Sequence, residues 1–231
     1  MTPAAHLING LQEVASRFDV FLLDQFGVLH DGATPYPGVV DCLRALKQAG
    51  KRVVILSNSG KRQAANSARL AQIGIAQDLY EHFVTSGEVT RSYLDSAPPE
   101  LRPGSNGSAP PRCLPLGGAA ELDLLDGLAL RIVETAAEAD FLLTASLGLT
   151  PPPRDAFDEI LAAARQRGLT LVCANPDVTG ISPHGLIHAP GALAADYEAA
   201  GGRVVYIGKP HPLIYRHVLE SLAPVPPGRV L

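Results

Sequence analysis

Three short segments set chemically capable side chains directly behind apolar runs. In FLLDQFGVLHDG, Phe21 to Gly32, Asp24 closes the run Val20 to Leu23. A carboxylate at the end of a buried strand is held rigidly. It can attack phosphorus or serve as a hard oxygen ligand for Mg²⁺. Gly27 lets the backbone turn sharply beneath a ligand. A plainer reading makes Asp24 a strand-ending turn cap. In VVILSNSGKR, Val53 to Arg62, the order is strand, Ser-Asn-Ser-Gly, helix. Ser57, Asn58 and Ser59 then bring two hydroxyls, an amide and backbone N–H groups to a helix start, a compact anion cradle. The plainer reading is an ordinary N-cap by Ser57 or Ser59. In YIGKPHPLIY, Tyr206 to Tyr215, Lys209 follows a strand and a glycine and precedes Pro210 and Pro212. Proline there stiffens the loop and fixes the ammonium, which could hold a carboxylate and a phosphate together. Read alone, Lys209 is a solvated surface lysine.

The elements that would position these residues alternate strand and helix. Continuous apolar runs at Val20–Leu23, Arg52–Leu56 and His82–Thr85 predict strands buried on both faces. Helical spacing predicts helices over Val39–Gln48, stopped by Gly50, over Arg62–Ile73, stopped by Gly74, and over Glu88–Leu94. That order gives a parallel sheet with helices on its faces, and such sheets bind ligands at the carboxyl ends of their strands. Asp24 and Ser57 both stand there. Ser96 to Arg112 is rich in Pro, Ser, Gly and Ala and reads as an exposed linker. Beyond it, strands at Cys113–Leu116, Phe141–Thr144 and Thr170–Cys173, with helices at Leu122–Leu130 and Arg154–Arg167, form a second α/β unit. A strand at Arg203–Ile207 and a helix at Pro212–Leu222 follow, and Arg229 to Leu231 opens a further strand.

Composition narrows the functional classes. The chain has 231 residues, 46% hydrophobic and 18% charged, with net charge -4. That is ordinary globular composition without a cationic surface, which argues against non-specific nucleic-acid binding. No apolar stretch reaches the roughly 20 residues that span a bilayer. Cys42, Cys113 and Cys173 have neither metal nor disulfide spacing, so thiols in a reducing cytoplasm are expected. His184 and His188 are separated by Gly185 and preceded by Pro183, which disfavours a helix aligning them on zinc.

Together the three segments resemble the first, second and third motifs of the haloacid dehalogenase-like superfamily, in order and in context. The long insertion between the second and third, with CANPDVTG (Cys173 to Gly180) near its end and GKPHP after it, is similar to class IIA, the NagD-like branch. DQFGVLHDG resembles a subfamily with an aromatic residue two positions after the Asp. The resemblance implies an α/β fold, a Rossmann-like parallel-sheet core of 1–87 and 191–231 carrying an inserted α/β cap of 88–190. It implies Asp24 as nucleophile, Ser57 holding the phosphoryl group with Asn58 beside it, and Lys209 paired with Asp24. Mg²⁺ would sit on the Asp24 carboxylate and the Phe26 backbone carbonyl. Asn175 and Asp177 lie on a tight turn, where Asx residues beside proline are usually turn formers. In class IIA this turn faces the core site and would touch substrate, as would, less directly, Ser146 to Gly148.

Two departures from the family pattern follow. The usual second Asp, which moves protons to the leaving group and from water, is Phe26 here. General acid–base help is worth about 10²–10⁴-fold. His30 or Asp31 could substitute, though each also reads as a turn residue. The fourth, acidic motif would follow a strand beginning at Arg229 and lies past Leu231, so a truncated core is expected. Three functions remain open. One is a Mg²⁺-dependent phosphatase of a small phosphorylated metabolite. Another is a catalytically impaired protein that binds a phosphorylated ligand. The third is an inactive fragment kept through homo-oligomerisation.

Overall fold

The computed structural model describes residues 7–101, 109–117, 119–182, 185–222 and 224–231. Its strands are β1 (Val20–Leu23), β2 (Arg52–Ser57), β3 (His82–Thr85), β4 (Arg112–Pro115), β5 (Arg131–Ile132), β6 (Phe141–Thr144), β7 (Thr170–Cys173), β8 (Thr179–Ser182), β9 (Gly185–His188) and β10 (Arg203–Tyr206). Its helices are α1 (Val39–Gln48), α2 (Gln63–Gln72), α3 (Ser86–Asp95), α4 (Ala119–Leu125), α5 (Asp158–Gln166), α6 (Pro190–Ala199) and α7 (Pro212–Leu222). The chain divides into two compact units: Met1–Leu56 with Ser67–Phe83 and Leu219–Leu231, and Ser57–Asn66 with Val84–Val218.

The first unit is organised by a sheet of order β1-β2-β3. β1 and β2 run parallel with Leu23 opposite Ile55, so both deliver their carboxyl ends to one edge. Both strands are apolar because both faces are covered: Val20, Phe21 and Val53 through Leu56 are buried. α1 turns Leu43 and Leu46 into a core with Phe21, Ile55, Leu70, Ile75 and Phe83. Truncating a side chain buried like Leu43 to Ala costs about 2–5 kcal/mol. α1 ends where Gly50 takes φ 67° and the Lys51 N–H turns back to the Leu46 carbonyl. The expected strand opening at Arg229 is present as a parallel bridge between Val230 and Val20, fastened by an Arg229–Asp19 ion pair at 2.6 Å.

The second unit carries a five-stranded parallel sheet of order β10-β7-β6-β4-β5. Leu142, Leu171, Cys173, Leu193 and Tyr197 fill one face, with the Tyr197 hydroxyl donating to the Leu169 carbonyl at 2.8 Å. Arg203–Tyr206, expected with the core that resumes at 191, is instead hydrogen-bonded to β7 as the edge of this sheet. The long connection through the β8–β9 pair and α6 lets the chain return parallel to β7.

Other expectations shift for local reasons. The helix expected at Leu122–Leu130 is α4, ending at Leu125, because Gly127 turns with φ 70° and Arg91 donates to the Leu124 and Asp126 carbonyls. The helix expected from Arg154 opens as a 3-10 turn, Arg154–Phe157. Of the expected linker, Arg102–Ser108 lies outside the described residues. In its first part Ser96, Pro99 and Glu100 are exposed as expected, but Leu101 is not. Pro99–Leu101 forms a 3-10 turn with Leu101 buried, and Thr170 and Tyr93 hydrogen-bond to Glu100. Among the described residues no helix is long and apolar enough to cross a membrane.

Candidate functional site

Asp24 stands one residue past β1, in the first unit. Its carboxylate accepts the N–H of Gln25 at 2.7 Å. A tight turn follows, in which the Gln25 carbonyl accepts the N–H groups of Val28, Leu29 and His30. Gly27 sits at φ 78°, a left-handed backbone that makes the sharp bend and favours glycine. The turn lifts Phe26 outward, 59% exposed, with its ring edge on His30 at 4.6 Å.

His30 and Asp31 both make side-chain bonds within this same loop. His30 is buried, and its Nδ1 accepts the Gly32 N–H at 2.9 Å, which leaves the ring proton on Nε2. Burial pulls its pKa below the ordinary imidazole value, so the ring is neutral. The Asp31 carboxylate accepts the Ala33 and Thr34 N–H groups, each at 2.8 Å, and those bonds to Thr34 and Ala33 hold its pKa down. This is an Asx turn, the plainer of its two expected roles.

The second unit holds the other expected residues. Ser57, the last residue of β2, is buried, and its hydroxyl accepts the Ser59 N–H at 3.1 Å. Asn58 is buried and reaches far along the chain. Its Nδ2 donates to Asp177 Oδ1 at 2.8 Å and to the Lys209 carbonyl, 151 residues away, at 3.0 Å. Its Oδ1 accepts the Lys209 N–H at 2.6 Å. The amide thus clamps the Lys209 backbone from both sides, and the expectation of a bare substrate contact gains a second, positioning role. Gly208 is required here, since a Cβ would crowd Pro176 and Asn58 Oδ1. Lys209 leads into a cis peptide with Pro210, and Tyr206 stacks on His211 at 4.4 Å.

Asn175 and Asp177 complete the arrangement. Asn175 Oδ1 accepts the Asp177 N–H at 3.0 Å, the expected Asx turn. The Asp177 carbonyl accepts the N–H of Gly191 at the start of α6, where a Cβ would strike the Pro176 carbonyl. Ser59 accepts the Lys61 N–H on its hydroxyl, and its carbonyl accepts from Gly87 N–H and the Ser86 hydroxyl at the start of α3. So Ser57, Asn58, Ser59, Asn175, Asp177 and Lys209 belong to one unit, and Asp24 and Phe26 to the other. Sequence reasoning missed the clamp because the partners are far apart in the chain. It missed Gly208 and also Gly60, where a Cβ would strike the Ala145 carbonyl, although their places beside Asn58 and Lys209 were a usable signal.

For a divalent cation, the Asp24 carboxylate and the Phe26 carbonyl are hard oxygen donors of the type that Mg²⁺ takes. They fit as a partial set. Among the described residues no three His, Cys, Asp or Glu side chains gather where they could hold a metal. His188 lies in β9, and His184, its expected improbable partner, lies outside the described residues.

Comparison with known proteins gives a consistent picture. Residues 21–129 match the family described as haloacid dehalogenase-like hydrolase. Rat chronophin is 29% identical over 96% of this chain and 71% of its own length. A haloacid dehalogenase-like hydrolase from Brucella suis 1330 superposes with TM-score 0.83 at 28% identity, covering 97% of this chain and 80% of its own. A glycerol phosphate phosphatase from Mycobacterium tuberculosis, solved with magnesium, superposes with TM-score 0.67 at 24% identity over 90% of this chain and 59% of its own.

Proposed function

We propose that the chain is a haloacid dehalogenase-like hydrolase of class IIA, with a Rossmann-like parallel-sheet core and an inserted α/β cap, and that it is a phosphatase of a small phosphorylated metabolite. The observation that carries the reading is the Asn58 clamp. It locks the Ser-Asn-Ser-Gly loop to the backbone of Lys209, so the hydroxyl-bearing loop and the Lys209 backbone are held together before any ligand arrives. Preorganised donors of this kind are the main source of catalysis in phosphoryl transfer. Phosphatase relatives such as chronophin and glycerol phosphate phosphatase support the same reaction class.

In this reading an Asp24 oxygen attacks phosphorus, the phosphorus–oxygen ester bond breaks, and the alcohol departs with a proton from solvent. Ser57 donates a hydrogen bond to the phosphoryl oxygens, and Lys209 offsets their charge. Water then attacks phosphorus and releases inorganic phosphate from Asp24. Mg²⁺, held by the Asp24 carboxylate and the Phe26 carbonyl, would supply further neutralisation of phosphoryl charge when bound. Phe26 moves no proton, so substrates with good leaving groups are favoured. The buried, unbridged Cys113 and Cys173 and the exposed Cys42 accord with a reducing cytoplasm.

The test is a phosphatase screen with Mg²⁺ over p-nitrophenyl phosphate, glycerol phosphate, sugar phosphates and pyridoxal phosphate. Turnover that Asp24→Asn removes supports the reading. Phe26 favours one second reading, a protein that binds such a ligand without turning it over. Tight binding of inorganic phosphate with no turnover of any substrate would select it.

A further inference from the structure

Glu121 is a buried carboxylate that the proposed chemistry does not use. It lies in the first turn of α4 with no exposed surface. Its Oε2 accepts the Gly117 N–H at 2.8 Å, and its Oε1 accepts the N–H groups of Ala145 at 2.5 Å and Ser146 at 3.3 Å. The bonded residues are the two loops that leave the carboxyl ends of β4 and β6. One side chain therefore ties together the ligand-binding edge of the five-stranded sheet.

What lies against Ala145 gives this tie its meaning. A Cβ built on Gly60 would fall well inside contact with the Ala145 carbonyl, so the two backbones touch. Gly60 is the last residue of the Ser-Asn-Ser-Gly loop. On its other side, Gly87 is equally tight against the Gly60 and Lys61 carbonyls. The anion loop is thus wedged between the start of α3 and the Ala145 backbone, and the Ala145 backbone is held by Glu121.

We propose that Glu121 is a positioning residue that fixes the Ser57–Gly60 anion loop through Ala145 and Ser146. The proposal rests on the phosphatase reading for its catalytic consequence, but not for the mechanical link itself. An ionised carboxylate can accept all three amides, whereas a protonated one loses acceptor capacity. Burial pushes the Glu121 pKa up to about 7, against the pull of the Ala145, Gly117 and Ser146 amides. Facing it are the thiols of Cys113 and Cys173, both kept protonated by burial. The grip on the loop therefore changes across neutral pH.

The experiment compares the full chain with Glu121→Gln and Glu121→Ala, by amide hydrogen exchange and amide chemical shifts at Ala145, Ser59 and Gly60. In the unaltered chain these shifts should follow one titration near pH 7, and in Glu121→Gln that titration should vanish. Exchange at Ala145 and Gly60 should quicken about tenfold or more in Glu121→Ala, the worth of a hydrogen bond to a charged group. Glu121→Gln keeps the volume and one acceptor, so it should restore most of that protection. With p-nitrophenyl phosphate, Glu121→Ala should raise KM more than it lowers kcat. A Gly60 amide indifferent to both substitutions, or a pH 7 titration that survives in Glu121→Gln, overturns the proposal. If Glu121→Ala does not fold, Glu121→Gln decides on the titration alone. A chain that neither hydrolyses p-nitrophenyl phosphate nor binds inorganic phosphate defeats the phosphatase reading, while the amide measurements still judge Glu121.

Discussion

The loops after β1 and β2 are built from similar polar residues and behave in opposite ways. After β1, the polar side chains bond within their own turn: Asp31 to Ala33 and Thr34, His30 to Gly32. After β2, Asn58 reaches Asp177 and Lys209 across more than a hundred residues. A local turn needs no other part of the fold and carries its own conformation. A long-range clamp forms only when the whole unit is folded, and so it couples loop geometry to packing. The first loop can present Asp24 and an exposed Phe26 while tolerating change at its rim. The second gives up that tolerance for fixed donors.

The largest expected effect lies at the residue that the first loop presents. Asp24→Asn keeps shape and the Gln25 contact but removes the nucleophile, and turnover should fall by about 10³-fold or more. Thermal stability should stay near that of the parent. Activity within a few-fold of the parent would remove Asp24 from the reaction.

Asn58→Ala comes next and tests the long-range side of the contrast. It deletes the bonds to Asp177 and to both backbone groups of Lys209 in a buried place. The expected loss of stability is about 2–3 kcal/mol, seen in urea denaturation, because buried partners are left unpaired. kcat/KM should drop with it. If stability holds while activity falls, Asn58 is a substrate contact and not a clamp.

How much of this was readable from the chain differs by region for physical reasons. β1, β2 and α1 declared themselves, since both-face burial makes continuous apolar runs and Leu43 and Leu46 obey helical spacing. α6 did not, because PGALAADYEA is buried nearly all round its first turns and shows no polar stripe. The β8–β9 pair was hidden because each strand is only four residues long. At the site, residue types named Asp24, Ser57, Asn58 and Lys209 as chemically capable. The partner of each could not be read, because Asn58 and Asp177 are adjacent only after folding. Glu121 was least legible of all. Close in sequence to Asp123 and Asp126 it looks like one of a set of surface charges, and only the fold shows it buried.

Phe26→Asp sharpens the comparison from inside the first loop. The ring is 59% exposed, so a carboxylate there meets water and costs little desolvation. The gain in turnover should appear with poor leaving groups such as glycerol phosphate and be near absent with p-nitrophenyl phosphate. Its ceiling is the ~10²–10⁴-fold worth of acid–base help, in a loop not shaped to aim that group. Flat turnover on both substrates, in a folded variant, would favour the binding-protein reading.

The smallest effect belongs to Asp31, where the local side of the contrast is most exposed. Among the described residues its carboxylate bonds to Thr34 and Ala33, and those bonds lower its pKa. A lowered pKa means that the ionised form supports the turn. That support is present above the unfolded-state pKa and is lost as pH falls through the lower folded-state value. Asp31→Asn keeps an acceptor for the Ala33 and Thr34 N–H groups, so at neutral pH its melting temperature should stay close to the parent's. On acidification the parent should lose slightly more stability than the variant, because only the parent has this carboxylate to protonate. Turnover of p-nitrophenyl phosphate should be equal in the two proteins. A steep drop in turnover with unchanged melting would make Asp31 a proton carrier in place of the missing second Asp, and the division between a self-contained loop and a coupled one would fail at its simplest point.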